Sequence, residues 1–134
     1  MSLDLTPLDN SSARLEAALE LYGRDPAQTV IRDGLVQRFE FTYEVAHKML
    51  KRALENTSAS PEEYDRMSFA DLVRSGNEQG LLLGAWPQWR AFREMRARTS
   101  HTYNESVALE VVRGIGGFLR EATHLRDQLR ARGI

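Results

Sequence analysis

The stretch from Asn104 to Arg130, NESVALEVVRGIGGFLREATHLRDQLR, indicates the fold class of this chain. Its apolar residues recur at steps of three and four and form one stripe: Ala108, Val111, Ile115, Phe118, Ala122, Leu125 and Leu129. This period is that of an amphipathic α-helix with one buried face. Three glycines, Gly114, Gly116 and Gly117, are unfavourable in a helix interior and indicate either close contact with another helix or a bend. The stretch therefore predicts a long C-terminal helix.

The rest of the chain also predicts helices. The expected ranges are 12–22, 27–56, about 61–77 and 87–98. The aromatic run Phe39–Val45 alternates with polar residues as a strand does, but strong helix formers continue directly from it and favour helix. We expect an all-α, up-and-down antiparallel bundle of four or five helices, formed as a single domain over residues 1–134.

Proline and capping residues indicate where these helices begin and end. Pro7 is expected to keep residues 3–8 outside the first helix, with an N-cap among residues 9–12 and an end at Gly23. The run Ser60-Pro61-Glu62-Glu63 has the pattern of a capping box with proline in the first helical position. These signals predict one short helix after Ser60.

Composition excludes several classes of protein. The 134 residues contain no cysteine, which rules out disulfide scaffolds and thiolate chemistry. No apolar run is long enough for a membrane span, and the first residues lack the layout of a secretion signal, so we expect a cytoplasmic protein without membrane contact. The net charge of −1 excludes general electrostatic attraction of the whole molecule to nucleic acid.

Sequence motifs of common enzymes are absent. The histidines His47, His101 and His124 do not lie three or four residues apart, so we expect no metal site. The glycines at 114, 116 and 117 lie inside a helical pattern and lack the strand and lysine of a phosphate-binding loop. No Gly-x-Ser-x-Gly nucleophile motif is present, and we expect no cofactor.

Arginines are concentrated before one of the histidines. Of the 18 basic residues only two are lysines, and Arg90, Arg93, Arg96 and Arg98 precede Ser100, His101 and Tyr103. An imidazole exchanges protons near neutral pH, and a guanidinium can offset charge on a phosphate in a transition state. Such a pair is the minimum for metal-free cleavage of RNA, in which the 2′-hydroxyl attacks the adjacent phosphate. The alternative is a solvated helix face that leads into a loop, with His101 at a helix end.

A second set of polar residues lies on the predicted helix 27–56. It comprises Arg32, Asp33, Gln37, Glu40, Glu44, His47, Lys48 and Lys51. One interpretation is an ordinary surface helix with weak charge pairs such as Glu44–Lys48. The other is a polar seam that faces a partner, or the Arg96–His101 segment of the same bundle, where carboxylates could pair with the arginines.

Two stretches resemble a known family. The run Arg32–Lys51, RDGLVQRFEFTYEVAHKMLK, is similar to the signature of the nucleotidyltransferase substrate-binding proteins, which belong to the HEPN superfamily of small helical bundles. The run Arg96–Tyr103, RARTSHTY, resembles the HEPN motif of Arg, four residues, His, one residue and Tyr. Trp89 also stands where the family tends to have tryptophan. The likeness covers roughly residues 10–130.

The resemblance implies a five-helix bundle, usually a homodimer, that works with a separately encoded minimal nucleotidyltransferase. Related pairs are toxin–antitoxin systems in which the HEPN partner is a metal-independent ribonuclease, silenced when the transferase adds AMP to the motif tyrosine. By motif position, Arg96 and His101 would be the catalytic pair and Tyr103 the modified residue. Arg93 and Arg98 are then expected to contact RNA.

A non-catalytic role is the alternative. Members were first described as the substrate-recognition half of a split nucleotidyltransferase, and this chain contains no other catalytic set. The residue after the motif arginine is commonly polar in the family, whereas this chain has Ala97. The polar seam of Arg32, Asp33, Gln37, Glu40 and Glu44 would then contact the partner.

Overall fold

The structure is a computed structural model that describes residues 3–134. Its five α-helices are α1 (Thr6–Arg24), α2 (Thr29–Asn56), α3 (Phe69–Glu78), α4 (Trp86–Arg98) and α5 (Glu105–Arg132). Two 3-10 turns, Pro61–Arg66 and Thr99–His101, connect α2 to α3 and α4 to α5. The described range contains no strand, and none of its helices is long and apolar enough to cross a membrane. The all-α helical bundle is thus confirmed.

The core lies between the long helices α1, α2 and α5, with α4 packed across α2 and α5. The predicted stripe of α5 is buried along its whole length. The aromatic run of α2 follows helical geometry, because Phe39 and Tyr43 are buried while Phe41 between them is 61% exposed. The ring of Phe39 meets that of Phe118 edge to face at 5.1 Å. Removing a core aromatic of this kind typically costs about 3–5 kcal/mol.

The first helix begins earlier than the sequence predicted. It starts at Thr6, so the expectation that Pro7 keeps residues 3–8 outside the helix is wrong. Proline is tolerated in the first turn because the N–H that it lacks has no partner there. Asp4 accepts a hydrogen bond from the Thr6 backbone N–H at 3.0 Å, and Leu8 is fully buried. The N-cap candidates at 9–12 therefore lie inside the helix, and the helix ends at Arg24, one residue after Gly23.

The segment after Ser60 forms two short elements instead of one helix. Ser60 makes no capping hydrogen bond through its side chain, so the predicted capping box is wrong. Met67 has extended backbone angles and separates the 3-10 turn from α3. The cap belongs to Ser68, whose hydroxyl accepts from the Asp71 N–H at 3.2 Å.

The glycines of α5 differ in what surrounds them. A Cβ atom on Gly114 would lie 2.5 Å from Met95 Sδ, so glycine at this position lets α4 approach α5 closely. A Cβ on Gly116 or Gly117 would meet nothing nearer than 3.8 or 3.6 Å. The helix continues through all three, and the interpretation as a close contact is confirmed at Gly114.

A buried carboxylate joins the loop before α4 to α5. Glu121 is 2% exposed, and its two carboxylate oxygens accept the backbone N–H groups of Leu83 and Gly84, each at 2.7 Å. Asn77 donates to the Gly84 carbonyl at 3.0 Å and links the same loop to α3. These contacts place the start of α4 on α5, and they thereby help to position the arginines that follow.

Candidate functional site

The Arg96–Tyr103 motif spans the connection between α4 and α5. Arg96 lies in the last turn of α4, His101 ends the 3-10 turn, and Tyr103 directly precedes Asn104, the N-cap of α5. The Asn104 side chain accepts from the Val107 N–H at 3.3 Å, and the Asn104 N–H donates to the His101 carbonyl at 3.1 Å. Hydrogen bonds therefore hold this connection on both sides of Tyr103.

Arg96 is held by carboxylates of α2. Its Nη2 lies 2.6 Å from Glu44 Oε1 and 3.3 Å from Glu40 Oε1, and its Nη1 donates to Thr99 Oγ1 at 3.3 Å. The hydrogen bond to Glu44 is the main cause that raises the pKa of Arg96. The side chain remains 31% exposed. The guanidinium is thus oriented, charged and still open to solvent.

His101 and Tyr103 are both exposed at the same end of the bundle. The centroids of their rings lie 6.1 Å apart, and 86% of the Tyr103 surface is accessible. Within residues 3–134 neither side chain forms a hydrogen bond. The imidazole and the phenol are therefore open to an incoming molecule, as is the guanidinium of Arg96 five residues before the histidine.

The other arginines of α4 point to different neighbours. Arg98 forms an ion pair with Glu110 of α5, and Arg90 pairs with Glu94 at 3.4 Å on its own helix. Arg93 forms neither an ion pair nor a hydrogen bond with any residue in the range 3–134. The predicted cluster is therefore divided, and Arg93 is the arginine of α4 that the described residues leave unpaired.

The polar seam of α2 faces the motif only in part. Glu40 and Glu44 contact Arg96, as the sequence allowed, and Arg32 reaches Glu105 at the start of α5 at 3.4 Å. Arg32 is 9% exposed, and its Nε has no hydrogen-bond partner in the described range. Asp33 and Gln37 are exposed and form no hydrogen bond with the motif.

Gln37 instead lines a groove that sequence reasoning missed. The groove lies between α1 and α2 and has a volume of about 460 Å³. Its walls include Asn10, Arg14, Arg38 and the exposed ring of Phe41. The alternation around Phe41 was the available signal, because a helical stripe through Phe39 and Tyr43 necessarily leaves Phe41 outside the core.

Two titratable groups of α2 lie beneath Arg93. Burial raises the pKa of Tyr43 to about 12, although Arg93 and Arg96 act in the opposite direction. Burial also lowers the pKa of His47, and the positive charges of Lys51 and Arg93 lower it further. Both groups are therefore favoured in their neutral forms at neutral pH. Within the described range, no three His, Asp or Glu side chains cluster in a way that would hold a metal ion.

A helical bundle with an exposed Arg–His–Tyr motif between its last two helices defines a class of small HEPN-like proteins. The comparisons with known proteins agree with this class. The family model for "nucleotidyltransferase substrate binding protein like" matches residues 3–131, and the chain belongs to this family.

Individual relatives support the same assignment. The chain is 35% identical to the probable ribonuclease HepT of Haemophilus influenzae, over 97% of this chain and 94% of that protein. A solved structure from Haemophilus influenzae, described as the fold of a substrate-binding domain of a nucleotidyltransferase, superposes with a TM-score of 0.87 at 32% identity. That match covers 95% of this chain and 99% of the other. A structure from Thermus thermophilus matches with a TM-score of 0.74 at 28% identity, over 92% and 98% of the two chains.

Proposed function

We propose that this protein is a metal-independent endoribonuclease of the toxin type, partnered in the cytoplasm by a separately encoded minimal nucleotidyltransferase. The observation that carries the proposal is the solvent-open arrangement of Arg96 and His101 at one end of the bundle, with Arg96 oriented by Glu44 at 2.6 Å. The name of the Haemophilus influenzae relative, a probable ribonuclease, supports it.

The chemistry needs only the groups of the motif. The 2′-oxygen of a ribose attacks the adjacent phosphorus, the bond from phosphorus to the 5′-oxygen breaks, and a 2′,3′-cyclic phosphate and a 5′-hydroxyl result. His101 takes the proton of the 2′-hydroxyl or supplies one to the leaving 5′-oxygen. Arg96 donates hydrogen bonds to the phosphate oxygens as their negative charge increases. Arg93 and Arg98 contact neighbouring phosphates.

A homodimer would supply both proton-transfer groups at once. With two copies of the motif facing each other across a shared groove, one His101 would act as base while the other acts as acid. The family resemblance implies this arrangement, and the exposure of His101 and Tyr103 leaves the surface available for it.

Silencing would occur at Tyr103. Its hydroxyl oxygen attacks the α-phosphorus of ATP bound to the nucleotidyltransferase, pyrophosphate leaves, and AMP remains attached to the tyrosine. The 86% exposure of Tyr103 lets a second enzyme reach it without unfolding of the bundle. The rings of Tyr103 and His101 lie 6.1 Å apart between centroids, so AMP attached to the phenol oxygen would stand near His101 and would block the approach of RNA.

A second candidate function is a non-catalytic subunit that presents a substrate to the nucleotidyltransferase. Two observations favour it: Arg96 already has two carboxylate partners, and Ala97 supplies no polar group beside it. In that case the seam residues Arg32, Asp33, Gln37, Glu40 and Glu44 belong to the partner surface. This candidate predicts stable or transient association with a nucleotidyltransferase and no RNA cleavage.

The decisive experiment compares the wild type with His101→Ala, and with His124→Ala as a control on the outer part of α5. Each is expressed without a partner, and each purified protein is incubated with RNA in the presence of EDTA. The ribonuclease proposal expects growth arrest and cleavage for the wild type and His124→Ala, and at least a hundredfold slower cleavage for His101→Ala. Equal growth of all three strains with intact RNA would refute it and favour the binding subunit.

A further inference from the structure

Three partly exposed aromatic rings form an edge at the start of α4, which is the end of that helix away from His101. The unpaired Arg93 lies further along the same helix. The edge consists of His47 from α2, Phe69 from α3 and Trp86 from α4. The rings of His47 and Phe69 lie 4.4 Å apart between centroids, and those of Phe69 and Trp86 lie 5.9 Å apart. The ring planes are inclined to each other by 52° for His47 and Phe69 and by 75° for Phe69 and Trp86, so a flat ligand would stack on one ring at a time.

The edge and the Arg–His–Tyr motif both lie along the line where α2 and α4 meet. This surface is called the α2–α4 seam, and it differs from the polar seam of α2. On α2, Glu40, Glu44 and His47 follow one another at steps of four and three and therefore share a face. On α4, Trp86 and Arg96 are ten residues apart, which corresponds to about 15 Å along the helix axis. Arg93 lies between them, close enough to His47 and Tyr43 for its charge to act on both.

The charges along the α2–α4 seam favour binding of a phosphate at Arg93. Arg96 is bound to two carboxylates, and Lys51 is bound to Asp65 at 2.8 Å. Arg93, which the described residues leave unpaired, needs no exchange of partners when a phosphate binds. A free guanidinium next to a partly exposed aromatic surface is the combination with which proteins hold single-stranded nucleic acid, whose bases stack while its phosphates pair with cations.

We propose that the α2–α4 seam is a binding subsite for single-stranded RNA, in which a base beyond the two nucleotides joined by the scissile phosphate stacks on Trp86, within the His47–Phe69–Trp86 edge, while its phosphate contacts Arg93. The subsite rests on the proposed ribonuclease function for its orientation toward Arg96 and His101. Stacking on an aromatic face does not distinguish the four bases, so the subsite favours unpaired RNA over duplex without fixing a sequence.

Direct binding tests the subsite separately from cleavage. In a His101→Ala background, which keeps the RNA intact, the affinity for a fluorescein-labelled six-nucleotide RNA is measured by anisotropy at several salt concentrations. Trp86→Ala should weaken binding about 5- to 150-fold and leave the salt dependence unchanged, and Trp86→Phe should restore most of the affinity.

Arg93→Ala should weaken binding and lower the slope of log K against log salt by about 0.7. Arg90→Ala, one turn away and paired with Glu94, is the matched control and should bind like the background.

The outcomes separate the two proposals. If the wild type cleaves RNA but Trp86→Ala and Arg93→Ala bind like Arg90→Ala, the subsite is refuted and the ribonuclease function stands. If the wild type does not cleave but binding depends on Trp86 and Arg93 as stated, the subsite stands and the ribonuclease function fails. Absence of RNA binding in the background protein overturns the subsite. Thermal unfolding of each variant shows whether it is folded, and the surface variant Arg93→Ala retains the test if Trp86→Ala does not fold.

Discussion

Arg96 Nη2 lies 2.6 Å from Glu44 Oε1, so a carboxylate from the middle of α2 holds the motif cation at the end of α4, 52 residues later in the chain. Both side chains are substantially exposed. Pairs of this kind contribute under about 1 kcal/mol to the free energy of unfolding. The contact therefore has its main effect on where the guanidinium points.

Removal of the Glu44 charge should consequently affect cleavage more than stability. For Glu44→Gln we expect the rate of RNA cleavage to fall about ten- to a hundredfold, because Arg96 loses its closest orienting partner while Glu40 retains only a longer contact. The free energy of unfolding should change by less than about 1 kcal/mol.

Single-turnover cleavage and urea denaturation measure the two effects. Glu94→Gln is the matched control, because it removes an exposed carboxylate from Arg90, an arginine of α4 to which no role in cleavage is assigned. Faster cleavage by Glu44→Gln would contradict the positioning role and would identify Glu44 as a competitor for the phosphate.

Tyr103→Phe should separate cutting from silencing. The substitution removes only the phenol oxygen of a side chain that is 86% exposed, so cleavage by the purified protein should match the wild type. Modification by the nucleotidyltransferase with radiolabelled ATP should be lost, and co-expression of the transferase should no longer restore growth. Tyr22→Phe, on a different helix, should remain both active and modifiable. Loss of cleavage in Tyr103→Phe would mean that the phenol takes part in catalysis.

Glu121→Gln should destabilise the bundle although the shape of the side chain hardly changes. The amide offers one acceptor oxygen where the carboxylate offers two, so one of the N–H groups of Leu83 and Gly84 would face an NH₂ donor. We expect a loss of about 1–3 kcal/mol in the free energy of unfolding, measured by urea denaturation. The exposed control Glu78→Gln should stay within about 0.5 kcal/mol. An equally small change for Glu121→Gln would show that the loop does not depend on the carboxylate.

His47 should make the fold less stable in mild acid. Burial, Lys51 and Arg93 lower its pKa in the folded state below the ordinary value of 6.5, whereas the unfolded chain takes up the proton at the ordinary value. As the pH falls below 6.5 the unfolded state binds more protons, so this residue reduces the stability, and the loss is complete once the pH is below the folded-state pKa.

Thermal unfolding between about pH 8 and about pH 5, a range that brackets the ordinary histidine pKa, measures this effect. The decrease in Tm across that range should be smaller in His47→Gln than in the wild type, because the variant lacks the titrating group. Arg93→Ala should also reduce the decrease, since it removes one of the charges that lower the pKa. Identical pH profiles for wild type and His47→Gln would contradict the prediction.

The sequence was a good guide to the helices whose apolar period is long and clear. Three helices, observed as α2, α4 and α5, begin and end within two residues of the predicted bounds. Errors occurred where a local signal has two meanings. Pro7 ends a helical pattern or opens one, and only the burial of Leu8 against the core decides that it opens α1.

The site was predictable to a similar degree. The spacing of Arg96, His101 and Tyr103 is a local property, and the sequence also allowed the contact of Glu44 with the arginine cluster. Arg98 pairs with Glu110, Gln37 lines a groove, and Arg93 stays unpaired within residues 3–134. These outcomes depend on how helices pack side by side, which no spacing within one helix specifies. Glu121 gave no signal at all, because its partners are backbone N–H groups of a distant loop.

Asn104 caps α5 immediately after Tyr103, and this arrangement has a consequence for the form of the protein that carries AMP. Since the cap, and not the phenol, secures the start of the last helix, a bulky group attached to the tyrosine oxygen would leave the folding equilibrium almost untouched. The proposed modification would then change the surface of an intact particle and not its fold, so a loaded molecule would need no chaperone.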